Sequence, residues 1–337
     1  MLDKRGVELP INKLIEIILV IVVIVLVVVL FIKFNQQLLK PFFPEREEQN
    51  PEKVQFQQLT RSLINDVSVE CNGNCKVTVQ LLDKGTDLKG KDVEVFVRAV
   101  QDGKTLDTKS DTLSGFFRAF SPKFWKGEFT LELKKANEFI VEVKEVKDNN
   151  VIAYDIRRLV LEGNSFREKN PELTWPTNVL TVNACYGMLD SRFYDAIDIP
   201  ATRGTEVFVA ADGVVVALQS ECKEGELKCG NGYGNFILLR HSTNLFSLYS
   251  HLSDLMNFVE PGKVVSKGQL IARTGYTGNT MEEEIPHLTF MIYTSTSAIE
   301  AGERGKNPVC YISKSILDRV KFTGENCKSL QDQLKVC

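Results

Sequence analysis

Histidine is nearly missing from this 337-residue chain. There are three, His241, His251 and His287, and all fall in its last third. Tryptophan occurs twice, and no cysteine precedes Cys71. The chain also lacks a basic tract. Its 41 lysines and arginines are matched by 44 aspartates and glutamates, so no positive field exists to hold nucleic acid, and that class of partner is excluded. None of the cysteines forms a Cys-x2-Cys pair, which removes the spacing of a zinc knuckle. No long segment is both charged and poor in apolar residues. With 43% hydrophobic residues overall, the composition is that of a chain with packed cores.

What is present begins with an apolar run. Residues 17–32 are all Val, Ile, Leu or Phe, and 11–34 are interrupted only by Asn12, Lys13, Glu16 and Lys33. As a helix, 24 residues cover about 36 Å at roughly 1.5 Å each, enough for a hydrocarbon core of about 30 Å. The run is too long for a cleavable signal, and Asn35-Gln36-Gln37-Leu38 offers no small-residue cleavage site. The expectation is a single-pass membrane helix at 11–34. Lysines and arginines flank it on both sides and do not orient it. Cysteine does: Cys71, Cys75, Cys185, Cys222, Cys229, Cys310, Cys327 and Cys337 all follow the span, an even set suited to an oxidising compartment. A cytoplasmic tail at 1–10 and an extracytoplasmic remainder follow. Short separations suggest Cys71 with Cys75, Cys222 with Cys229 and Cys310 with Cys327, leaving Cys185 for Cys337; other pairings stay open.

Residues 35–54 carry Pro41, Pro44 and Pro51 among charged residues and read as a polar stalk. From 55 to 165 the pattern has period two, at 77–81, 93–98, 128–133 and 139–143, which points to a small β-sandwich-like domain. From 174 to 337 the chain stays β-rich but is punctuated by glycine. Residues 207–210 and 214–217 read as a hairpin around Asp212-Gly213, 236–239 and 246–249 as a second pair, and 312–334 as a helical tail. The fold class is mainly β.

Three segments carry the chemistry, Arg192-Phe193-Tyr194-Asp195-Ala196-Ile197-Asp198-Ile199, Tyr249-Ser250-His251-Leu252-Ser253 and Pro286-His287-Leu288-Thr289-Phe290. Ala210-Ala211-Asp212-Gly213-Val214-Val215, Val264-Val265-Ser266-Lys267-Gly268-Gln269-Leu270-Ile271-Ala272 and Thr274-Gly275-Tyr276-Thr277-Gly278 accompany them. Their order and spacing resemble the lysostaphin/LytM-type zinc endopeptidases of the cell wall. That family reads His-x-x-x-Asp, then Tyr-x-His-Leu, then His-x-His. The resemblance, over about 186–294, implies an antiparallel β domain of that type. It also implies that Tyr194, Asp198 and Thr289 stand where the family holds zinc, and that His251 and His287 stand at the two assisting positions.

Only Asp198 is an unaltered zinc donor. A phenol with an ordinary pKa of about 10 gives up its proton at a cost, and a threonine hydroxyl is a poor zinc ligand. Asp190 and Asp195 are the nearby carboxylates that could make good the loss, and a site of Asp198 with His251 and His287 is a further arrangement. His241, between a strand and a turn, reads as structural. The expectation is an anchored peptidase homologue without a cofactor, binding an envelope polymer, a peptide or a partner protein. The alternative is a divergent zinc endopeptidase cutting cell-wall or surface peptides.

Overall fold

Alternating apolar side chains become strands because period two places them all on one face of a pleated ribbon. The computed structural model describes residues 51–84, 92–114, 124–189, 191–280, 286–327, 329–335 and 337. The cytoplasmic tail, the expected membrane span at 11–34 and the stalk up to residue 50 lie outside the described residues. No helix among the described residues is long and apolar enough to cross a membrane. The last stalk residues, 51–54, are not extended; they open helix α1 (Pro51–Thr60).

The four period-two stretches fall in strands β2 (Asn74–Lys84), β3 (Asp92–Gln101), β5 (Phe124–Leu133) and β6 (Glu138–Lys147). With β1 (Ile64–Asn72), β4 (Lys104–Ser114), β7 (Asn150–Glu162) and β8 (Ser165–Glu168) they form two antiparallel sheets, ordered β1-β2-β5 and β4-β3-β6-β7-β8. Val77, Val79, Leu81 and Phe129 of one sheet share a core with Val95, Val97, Val141 and Val143 of the other. Each such side chain stabilises by roughly 1.5–3 kcal/mol when fully buried.

Twelve further strands follow: β9 (Thr181–Val182), β10 (Gly187–Leu189), β11 (Arg192–Tyr194), β12 (Ile197–Pro200), β13 (Glu206–Phe208), β14 (Gly213–Gln219), β15 (Asn235–Ser242), β16 (Leu245–Leu255), β17 (Val264–Val265), β18 (Leu270–Thr274), β19 (His287–Tyr293) and β20 (Lys321–Phe322). The main sheet runs β12-β19-β16-β15-β14-β17, with β13 attached through β18. One of its faces buries Ile197, Ile199, Leu288, Phe290 and Ile292. The opposite face buries Val214, Val216, Leu238, Phe246, Leu248, Met291 and Tyr293 beneath Phe56 and Leu59 of α1 and Tyr154 and Ile156 of β7. The first half of the chain therefore roofs one face of the second.

A buried ion pair fastens that roof. Arg240 of β15 and Asp155 of β7 have fully buried side chains, and Arg240 Nη2 donates to Asp155 Oδ1 at 3.0 Å. Arg240 also donates to the carbonyls of Tyr154, Leu59 and Arg61. Asp155 Oδ2 accepts from Ser62 Oγ and from the backbone N–H groups of Leu63 and Ile64, each at 2.9 Å. Low dielectric makes such a pair tolerable only when its remaining donors and acceptors are filled, as they are here.

Three sequence expectations are corrected. The Asp212-Gly213 hairpin does not form: β13 pairs with β18, while β14 pairs with β15 and β17. A tight type I′ hairpin needs positive φ at both turn residues, and neither has it. Gly213 is small for another reason, since a Cβ there would sit 2.4 Å from the Arg240 carbonyl oxygen. The tail is not a continuous helix; α2 (Thr296–Ala301) precedes it, and it holds only α3 (Lys314–Leu317) and α4 (Leu330–Leu334), with β20 between them.

All eight cysteines are bonded, but two pairs are exchanged relative to expectation: Cys185 joins Cys327 and Cys310 joins Cys337, beside Cys71–Cys75 and Cys222–Cys229. Parallel pairing of β20 with β9 draws Cys327 to Cys185, where Asn326 hydrogen-bonds both the N–H and the carbonyl of Cys185. The closing turn of the tail then falls to Cys310, with Asn307 Nδ2 donating to the Gln333 carbonyl.

Candidate functional site

Asp198 is pinned in β12 by its backbone. Its N–H donates to Ala184 at 2.9 Å, and its carbonyl accepts from Asn183 at 3.0 Å. In register it faces Thr289 of β19, which faces Ser250 of β16. Since Leu288, Phe290 and Ile292 take the inner core, His287 and Thr289 share the roofed face with Met291. The site occupies the end of that face.

Two hydroxyls close on Asp198. Thr289 Oγ1 donates to Asp198 Oδ1 at 2.6 Å, and the Tyr194 hydroxyl, carried by the β10–β11 hairpin, donates to the same oxygen. The two hydroxyl oxygens are 3.5 Å apart. Burial and then the Asp198 charge push the Tyr194 phenol well above its ordinary pKa, so it keeps its proton. These residues do not fit zinc. The ion requires lone pairs directed at one point, whereas here two protons are directed at the only carboxylate. Among the described residues no three His, Cys, Asp or Glu side chains are grouped to hold a metal. Asp195 offers no rescue, since its Oδ2 accepts from Gly305 N at 2.8 Å. Asp190 lies outside the described residues.

The two remaining histidines flank the carboxylate. His287 Nε2 is 4.0 Å from Asp198 Oδ2. The His251 ring meets the His287 ring edge-to-face, with centroids 5.0 Å apart. His251 has φ 60°, a left-handed conformation that a β-carbon disfavours by roughly 1–2 kcal/mol. Its surroundings hold it there. His251 N donates to Tyr233 O at 2.9 Å, its carbonyl accepts from Gly275 N at 2.7 Å, and Nδ1 donates to Thr277 O at 2.8 Å. The turn delivering Thr277 needs glycine at 278. Gly278 has φ 79°, and a Cβ would lie 2.2 Å from Gly234 N. Tyr233 is not singled out by the sequence, and Thr277 is named there only within the glycine-rich segment that marks the close approach.

His241 stands apart. It lies inside β15, fully buried, rather than at a loop edge, with Nδ1 donating to Asp212 O at 3.0 Å and Nε2 paired with Ser247 Oγ at 2.7 Å. Burial lowers its pKa to about 4. His251 is lowered to about 4 as well, by burial first and by His287 second. Both imidazoles are thus uncharged when folded but protonate below about pH 6.5 when unfolded. Their contribution to stability is whole above pH 6.5 and falls away towards pH 4, by roughly 3 kcal/mol per histidine. Urea denaturation at pH 7 and pH 4.5 is expected to show this decline, with a shallower one for His241→Gln. An unchanged slope in that variant would contradict the assignment.

Comparison with known proteins finds a family match within this half. The model for peptidase family M23 matches residues 192–301, about a third of the chain. Residues 192–301 are an M23 domain. The chain is 31% identical over 140 residues to the uncharacterised lipoprotein YgeR of Escherichia coli K12, covering 40% of this chain and 49% of that one. To the DD-carboxypeptidase/endopeptidase Mpg of Neisseria meningitidis serogroup B it is 33% identical over 99 residues, 29% of this chain and 20% of the relative. To the murein hydrolase activator NlpD of E. coli K12 it is 32% identical over 106 residues, 32% of this chain and 25% of the relative. The chain thus spans between a fifth and about half of the length of these relatives. The M23 match contains all five site residues, Tyr194, Asp198, His251, His287 and Thr289.

Proposed function

We propose that this chain is a catalytically defective M23 homologue that acts as an extracytoplasmic binding or regulatory module at the cell envelope. The apolar run 11–34 is its proposed membrane anchor, and its ligand is an envelope polymer, a peptide or a partner protein. The observation that carries the reading is the convergence of the Tyr194 and Thr289 hydroxyls on one oxygen of Asp198. Two donated protons fill the place where the resemblance puts zinc, and without the metal no bound water is brought to a pKa of about 7. His251 and His287 keep their family positions but have no activated water to assist. A relative that bears the name murein hydrolase activator is compatible with a role beside hydrolysis rather than in it.

The second reading, a divergent zinc endopeptidase, draws on the closeness of Asp198, His287 and His251. Thermal melting separates the two. For a non-metal module, EDTA or added zinc shifts the midpoint by less than about 1 °C. A metal bound at a hundred times its dissociation constant stabilises by about 2.7 kcal/mol, which raises the midpoint by several degrees. Such a rise, lost in Asp198→Ala, would support the endopeptidase.

A further inference from the structure

Among the described residues no lysine or arginine pairs with Asp198, and this says what the site should bind. Asp198 is largely buried, with a side chain 14% exposed, yet the only basic group within 4.0 Å of it among the described residues is His287. Partly buried carboxylates are costly unless paired with a cation or fully hydrogen-bonded. Among the described residues, Oδ1 accepts from Tyr194 and Thr289, and Oδ2 has the 4.0 Å approach of His287 Nε2. A zinc ion would supply the missing charge, but the hydroxyl protons leave it no seat. The neighbouring His251 is fixed as a tautomer, because Nδ1 donates to Thr277 O. Its Nε2 therefore presents a lone pair. Asp198 Oδ2 and His251 Nε2 are thus both acceptors, on a site with a negative charge where a metal-loaded one would be positive.

We infer that the Asp198–His251 site binds a primary ammonium group of a peptide, either its α-amine or a side-chain amine. An ammonium carries three donors on one charged atom and needs only acceptors around it, here Asp198 Oδ2 and His251 Nε2. A carbonyl oxygen, which a zinc site would attract, finds a carboxylate instead and is repelled. This inference rests on the binding-module reading and extends it from a site to a ligand class.

The chain's three histidines make the test simple, since imidazole spectra contain few signals. The full chain, in detergent, is titrated with the peptide Gly-Ala-Lys-Ala amide in four forms: unmodified, acetylated at the α-amine, acetylated at the lysine Nε, and acetylated at both. The expected result is that the His251 and His287 signals move while the buried His241 signal stays, with the diacetylated form at least tenfold weaker. Comparing the two monoacetylated forms tells an α-amine from a side-chain amine. Asp198→Asn, judged folded by its unmoved His241 signal, should lose the effect. Equal responses to the free and diacetylated peptides, or none to any of them, would overturn the inference while leaving the binding-module reading standing. One equivalent of bound zinc would overturn that reading whatever the peptides do.

Discussion

A chain carrying Tyr194→His together with Thr289→His is expected to bind about one equivalent of zinc, where the parent binds less than about a tenth. The change removes both protons that now saturate Asp198 Oδ1 and supplies two imidazoles from the same positions. The backbone already brings these positions together. Asp198 and Thr289 are directly opposed in register, and Tyr194 lies four residues before Asp198. Three protein ligands with a fourth position open is the arrangement of a catalytic zinc centre, and His251 and His287 already stand beside it. Either single variant leaves one hydroxyl donating to Asp198 and should bind far more weakly. A double variant that melts cooperatively but takes up no zinc would show that more than these two residues has been lost.

Removing one partner of the Arg240–Asp155 pair is expected to have the largest effect on stability. Arg240→Met leaves the buried Asp155 carboxylate with only the 4.0 Å approach of Arg157 as a cation and strands the carbonyls of Tyr154, Leu59 and Arg61, and Asp155→Ala strands a buried guanidinium. Breaking a buried pair in this way costs about 3–5 kcal/mol, a large part of a domain's total stability. Removing both should cost less than the sum of the two, because neither charge is then left alone. Urea denaturation of the two single variants and the double variant measures this directly. Losses below about 1 kcal/mol in the single variants would mean that the roof over the sheet is held by Phe56, Leu59, Tyr154 and Ile156 alone. The pair matters to function because the face it roofs is the face on which Asp198, His287 and Thr289 lie.

The strands of the first half were legible because Val77, Val79, Leu81 and their counterparts alternate strictly, and one buried face is all that such a pattern requires. The Asp212-Gly213 turn was misread because the dipeptide has two uses. It favours a tight hairpin, but here Gly213 serves a close approach to Arg240, and Asp212 Oδ1 accepts from Lys267 N. The cysteine pairing failed at the tail for a similar reason. Separation along the chain ranks Cys310 with Cys327, whereas the β9–β20 pairing, 140 residues apart, decides it. Arg240 and Asp155 left no local trace, since a charged residue inside a strand looks the same whether it faces water or a partner 85 residues away. The meeting of Tyr194, Asp198 and Thr289 could be anticipated only through the family resemblance, and what their hydroxyls do to one another required coordinates.

Zinc content of the purified, oxidised full chain, equilibrated with trace zinc and measured by mass spectrometry, tests the central claim most directly. If the two hydroxyls hold the metal's place, the chain carries less than about a tenth of an equivalent, and Asp198→Ala carries no less than its parent. Close to one equivalent, abolished by Asp198→Ala, would contradict the account and make the site a metal centre.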